Sequence, residues 1–229
     1  MRSKFRPLFL TLMLATACTA FGAGGGEMPS RPMGGSSMPP PSPEEQARSA
    51  YNAGVKVVEK ADALSADAAH QSDAKHQAKA LDKAKGGYAS ALKKFTHATE
   101  LNPSMHEAWN YVGYTNRKLG KYDAALAAYD RALALKPGYP EAIEYRGHAY
   151  LGLGRLDDAK NAYLSLFSSN RKLAAQLLAG MQAWVGDHRG NPGGVDGASL
   201  ESFASWVSER STIASQTAGL TREGASAAW

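Results

Sequence analysis

Glu144 and His148 stand four residues apart, so on a helix they share a face and bring a carboxylate beside an imidazole. Such a pair is part of a metal site or of an acid–base couple, but no third ligand and no nucleophile accompanies it. The bland reading is a solvated or groove-lining pair. His106-Glu107 begins like a zinc-protease signature, yet Asn110 occupies a place where that signature needs a second histidine. Gly152 and Gly154 lack the following lysine that completes a phosphate-binding loop. No serine sits in a Gly-x-Ser-x-Gly elbow. The expectation is therefore no catalytic residue, no metal and no cofactor. Lys75, Lys79 and Lys83 form a basic stripe at four-residue spacing. The stripe suits an anionic lipid or polymer, or simply a solvated helix face.

The chain has 229 residues, a formal charge of +5 and one cysteine, Cys18. Arg2, Lys4 and Arg6 precede a short apolar run, Leu8 to Ala17. A run of about ten apolar residues suits the core of a signal peptide, whereas a membrane span needs about 20. Residues 1–22 are thus expected to be a signal peptide, making the protein exported and periplasmic. Two cleavage points are open. One follows Ala20-Phe21-Gly22. The other precedes Cys18 and resembles a bacterial lipoprotein site, which would acylate the thiol and anchor the protein to a membrane. A membrane is expected as a partner only in that second case. Removing residues 1–22 takes away three basic and no acidic residues, which leaves 23 basic against 21 acidic. A charge of +2 makes no electrostatic case for nucleic acid. A protein without disulfides must rely on a packed core.

Residues 23–43 are rich in Gly, Met, Pro and Ser and read as a disordered linker. Ser42-Pro43-Glu44-Glu45 combines an N-cap, a proline in the first turn and a capping-box glutamate, so a helix should start there. Tyr51, Val55, Val58 and Leu64 give it a buried stripe, with Ser65 to Ser72 as a turn. A second helix is expected over Asp73 to Leu101, kinked or broken at Gly86-Gly87. Ser104 to Glu107 reads as another capping box. Helices should follow from there to about Leu119, from Tyr122 to Leu135, from Pro140 to Gly154 and from Asp157 to about Phe167. Two more are expected, Leu173 to Val185 and about Leu200 to Ile213, separated by a loop from Gly186 to Gly197. Thr217 to Trp229 reads as a frayed tail.

Between His106 and Tyr139, a window of 34 residues, stand Trp109, Gly113, Tyr122, Ala125, Tyr129, Ala132 and Pro137. The window Pro140 to Leu173 repeats much of this in phase, with Gly147, Ala159 and Tyr163. Small residues at these places let helices approach, and large ones fill between them. Tyr88, Ala91, Phe95, Ala98 and Pro103 match only the latter half of the pattern. The chain resembles the tetratricopeptide repeat family, in its bacterial exported type.

The resemblance implies an all-α fold, a right-handed solenoid of helical hairpins with terminal capping helices. It divides the chain into a degenerate first repeat over 44–105, repeats over 106–139 and 140–173, capping helices over 174–216 and a tail over 217–229. It implies a non-catalytic protein–protein interaction scaffold of the bacterial cell envelope. A peptide or protein partner, not identified by the sequence, would lie in the concave groove. By position, Asn110, Tyr114 and Arg117 line that groove in the first clear repeat, and Glu141, Glu144 and His148 in the second. Trp109 falls at a core position. The Lys/Asn pattern with which some members clamp a terminal carboxylate is missing. Two rival roles remain, an accessory factor in envelope polymer metabolism and a structural protein that self-associates through its terminal helices. Exposure of Trp206 or Trp229 would favour self-association.

Overall fold

A computed structural model describes residues 40–190 and 194–226, with residues 217–226 described by backbone alone. The expected signal peptide, most of the linker, Cys18 and Trp229 lie outside the described residues. Eight helices and no strand occur among the described residues. They pair as four successive antiparallel hairpins: α1 (Pro43–His70) with α2 (Ala74–Leu101), α3 (His106–Lys118) with α4 (Tyr122–Leu135), α5 (Pro140–Gly152) with α6 (Leu156–Ser169), and α7 (Arg171–His188) with α8 (Gly197–Ser226). Each hairpin packs on the next through its first helix, α3 on α2, α5 on α4 and α7 on α6. This is the all-α helical-hairpin architecture expected from the repeat.

The capping box at Ser42 forms as expected. Its hydroxyl accepts from the Glu45 N–H, and the Glu45 carboxylate accepts from the Ser42 N–H at 2.7 Å. These bonds hold the Glu45 carboxyl below the usual carboxylate range. The helix then runs on past Leu64 to His70, so the expected turn shrinks to Gln71–Asp73. Its buried positions explain why. Ala47, Gly54, Ala61 and Ala68 recur every seven residues, and Ala84, Ala91 and Ala98 do the same on α2. Between them stand the larger Val58 on α1 and Tyr88 and Phe95 on α2. A 3.5-residue period of small and large side chains is the seam of a coiled pair, and it continues through the residues that separate the first repeat from the family spacing. The insertion is thus a lengthening of both helices rather than a loop.

α2 runs unbroken through Gly86-Gly87. A Cβ on Gly87 would lie 2.9 Å from the Ala61 Cβ, so the residue serves close helix approach. The expected capping box at Ser104 does not form either. The Ser104 hydroxyl donates instead to the Asn102 side chain at 2.6 Å, and Met105 is the N-cap, with no side-chain bond. The loop is closed locally by Asn102, which leaves Ser104 one residue too early to cap.

The two clear repeats end their first helices alike. Gly120 and Gly154 take φ of 74° and 66°. At each, the next residue's N–H reaches back to the carbonyl five before it, Lys121 to Asn116 and Arg155 to Tyr150, both at 2.9 Å. This bond pattern requires a left-handed residue, which glycine supplies without strain. Gly120→Ala should therefore lose about 1–2 kcal/mol. Gly86→Ala, at an exposed helical site with open space around its Cβ, should gain about 0.5–1 kcal/mol. Urea denaturation of the two variants checks the opposite signs.

Inside the hairpins the small residues do what the pattern requires. A Cβ on Gly113 would stand 2.4 Å from the Tyr129 ring, and one on Gly54 would stand 2.6 Å from Phe95. Ala125, Ala132 and Ala159 are fully buried. Gly147 departs from this pattern, because its space is taken by Leu177 of α7 rather than by Tyr163. Tyr163 packs instead on Phe167 and Trp206. Trp109 also differs from expectation. It is half-buried and donates its indole N–H to the Pro103 carbonyl at 2.9 Å, bracing the α2–α3 turn. The C-terminal pair covers the end of the stack with Leu177, Met181, Phe203 and Val207. α7 begins at Arg171 and continues to His188, and α8 starts at Gly197 and stays helical to Ser226. That is longer than expected, and the segment 217–226 is helix rather than a frayed tail.

Candidate binding groove

The first helices of the hairpins, α1, α3 and α5, present a continuous band of tyrosines. Tyr51 meets Phe95 and Tyr111 edge-on, with ring centroids 5.7 and 5.5 Å apart. Tyr111 stacks on Phe95 at 4.7 Å and touches Tyr114 at 6.1 Å. Tyr114 then meets Tyr145 of α5 at 5.0 Å. Tyr111 and Tyr145 are 34 residues apart, one repeat period, which is why α3 and α5 bring them to the same wall. Arg117 lies over both Tyr114 and Tyr145, its guanidinium 5.2 and 5.6 Å from their centroids. Such contacts are worth roughly 0.5–2 kcal/mol, depending on how far the cation is removed from water.

A charged node ties three helices together at one end of this band. Asp62 of α1 accepts from the Tyr88 hydroxyl of α2 at 2.6 Å and from the Tyr114 hydroxyl of α3 at 2.7 Å. The Lys118 ammonium stands 3.7 Å from the same carboxylate and 5.1 Å over the Tyr88 ring. Burial lowers the Lys118 pKa, an effect that Asp62 opposes.

The six residues expected on the groove wall are not equivalent. Glu141 is exposed, and Tyr114, Arg117 and His148 are half-buried. Asn110 and Glu144 are buried, 2% and 6% exposed, which corrects their expected place on an open wall. The Asn110 Oδ1 has no hydrogen-bond partner there. The Glu144 carboxylate is 2.9 Å from the His148 Nε2, and the His148 ring fills the space beside Gly180 of α7. The pair therefore joins two hairpins. No group of three or more metal-ligating side chains occurs among the described residues. Tyr129 lies below the wall, its buried hydroxyl close to Arg117 but outside hydrogen-bond geometry.

Sequence reasoning missed Asp62, Lys118, Tyr111 and Tyr145, and placed Tyr51 only in a buried stripe. The 34-residue spacing of Tyr111 and Tyr145 was an available signal. Asp62 had none, since it sits in the lengthened part of α1 that no repeat position describes. Trp206 is half-buried, packed against Tyr163 and beneath Arg210.

Eight of the ten tyrosines have phenols pushed above their ordinary value, first of all by burial. Tyr51 and Tyr145 are each raised to about 12. The folded chain therefore prefers the neutral phenol. Stability from these groups is full below about pH 10, the unfolded tyrosine value, and falls as pH rises from 10 through 12. An absorbance titration should show most phenols ionising late and together with loss of helix. Independent ionisation of eight phenols near pH 10 in a helical protein would contradict it.

Two tetratricopeptide repeat family models match the chain, one over residues 77–140 and one over residues 117–181. No curated protein matches it. Among solved structures, the first tetratricopeptide domain of Spaghetti (RPAP3), bound to the HSP90 peptide SRMEEVD, is similar at 23% identity. The match covers 55% of this chain and 93% of that one, with a TM-score of 0.39. The family matches begin within α2 and end within α7, so they span the two clear repeats and both neighbours. Over residues 77–181, the chain matches the tetratricopeptide repeat family.

Proposed function

We propose that this protein is a non-catalytic interaction scaffold of the bacterial cell envelope that holds a peptide or protein partner on the face built by α1, α3 and α5. The observation that carries this reading is the tyrosine band itself. Tyr51, Tyr111 and Tyr145 are half-buried and come from three successive hairpins. Rigid rings with polar ends give contact area at low entropic cost, as binding surfaces require. The basic and then apolar start of the sequence supports export, with Cys18 as a lipid attachment point where cleavage precedes it.

A photoreactive residue placed at Glu141 tests the groove, and one at the exposed Ala127 of α4 is the control. A partner captured from Glu141 and not from Ala127, and lost on Tyr145→Ala in a folded protein, is the expected result. Equal capture from both, or none from Glu141, removes the groove reading. Cell fractionation of the intact chain and of Cys18→Ala, with lipid labelling, tests the envelope and the anchor separately.

A further inference from the structure

The groove face has an uneven stock of hydrogen-bonding groups. Its inner acceptors are already engaged or covered. Asp62 takes two tyrosine hydroxyls and stands beside Lys118, Glu144 pairs with His148, and the Asn110 oxygen is buried. Its phenol hydroxyls are free to donate or accept. The hydroxyls of Tyr51, Tyr111, Tyr139 and Tyr145 make no hydrogen bond with the described residues, and burial keeps them protonated across the neutral range. The carbonyls of an extended peptide can accept from these hydroxyls. A proline has no N–H and brings only a carbonyl. Proline-rich segments are also extended beforehand and bind with less ordering. Flat pyrrolidine rings against tyrosine faces are a recurring mode of peptide recognition.

One end of the face adds charge. The carboxylates of Glu107 and Glu141 both lie close enough to the Tyr139 phenol to raise it. Glu141 makes no ion pair among the described residues, and Glu107 is shared only with the His106 Nδ1 at 3.2 Å. Tyr139 already accepts a cation on its ring, with the Lys136 Nζ 4.6 Å from the centroid. This corner complements a positive side chain.

Resting on the groove reading above, we propose that the occupant of this face is an extended, proline-rich peptide with basic side chains. Its prolines lie on Tyr51, Tyr111 and Tyr145, and an arginine or lysine is drawn to Glu107 and Glu141. The free phenols donate to its carbonyls. An acidic peptide is repelled at the same corner, so charge sets the direction in which the chain lies as well as its identity.

Fluorescence polarisation with a labelled ten-residue peptide of eight prolines and two arginines tests this on the full chain. Two further peptides replace the prolines by alanine or the arginines by glutamate. The parent peptide should bind at least about tenfold tighter than the alanine peptide, since only the former is extended beforehand. It should lose about fivefold or more, and most of its salt dependence, on Glu107→Gln with Glu141→Gln. Tyr111→Phe with Tyr145→Phe keeps the rings and removes two donors, and should weaken it several-fold. Equal binding of the proline and alanine peptides overturns the proposal, as does binding indifferent to both double variants. Absence of peptide binding, with a partner still captured from Glu141, overturns it while leaving the groove standing. Failure of that capture as well removes the groove reading.

Discussion

Tyr129→Ala should lower the unfolding free energy by about 3–5 kcal/mol, the cost of truncating a large aromatic side chain in a packed core. Tyr129 is fully buried, on the inner face of α4. Its ring fills the space that Gly113 leaves open on α3, and it also meets Tyr145 of α5. The truncation therefore empties the centre of one hairpin and loosens its contact with the next. Because Gly113 has no side chain to swing inward, the cavity cannot collapse by rotamer change alone. The effect should appear in urea denaturation as a lower midpoint at an unchanged slope. A loss under about 1 kcal/mol would mean that α3 and α4 close on each other, and that the ring is not what spaces them. Gly113→Leu is the complementary change, and overpacking there should cost roughly 1–3 kcal/mol.

Asp62→Ala should be the next most damaging change, at about 2–3 kcal/mol. One carboxylate serves Tyr88, Tyr114 and Lys118, on two other helices. Removing it leaves the Tyr114 phenol without an acceptor, the Tyr88 phenol with only the Ser65 hydroxyl at 3.3 Å, and a half-buried ammonium without its counter-charge. Each hydrogen bond to a charged group is worth about 1.5–3 kcal/mol. Asp62 is 39% exposed at the side chain, so water recovers part of the loss. Asp62→Asn keeps an acceptor of the same shape and should lose about half as much. Urea denaturation separates the two variants, and a shared midpoint would show that the charge, not the hydrogen bonds, carries the effect. Because Tyr114 also packs on Tyr145, the alanine variant should weaken partner capture from Glu141 even where the protein stays folded.

The helices of the two clear repeats were legible because their signals are local. Tyr122 to Leu135 ends before Pro137-Gly138 as the proline dictates, and Gly120 and Gly154 end α3 and α5 through their own backbone angles. The first hairpin was legible only in part. Its phase matches the repeat in α2, but the lengthening of α1 shows in no turn residue, only in a seven-residue rhythm of alanines that continues past Leu64. Gly86-Gly87 misled because a glycine pair in a helix signals either weakness or close approach, and only the position of Ala61 decides between them. At the site, sequence position located the right helices but not the right depth. Asn110 and Glu144 stand just over one helical turn before Tyr114 and His148, and burial depends on how α3 and α5 are rotated against their neighbours. Asp62 and Tyr114 are 52 residues apart, and only packing brings them together.

The lengthened first hairpin has a further consequence. At about 1.5 Å per residue, its 28-residue helices run roughly 42 Å, against about 20 Å for the 13 residues of α3. Toward its tip the buried seam is made of alanines, Ala61, Ala68 and Ala84, and Leu81 is left 47% exposed. Alanine pairs bring helices close but bury little apolar area, so the outer turns are held mainly by their own backbone bonds. Local opening should begin at the turn Gln71–Asp73 and run inward, with a free energy well below that of the whole molecule, until it meets the bonds at Asp62. The tip thus forms a separate cooperative layer. Its amides exchange with solvent on their own schedule, its length can drift by matched helical turns, and neither event reaches the tyrosines that face the partner.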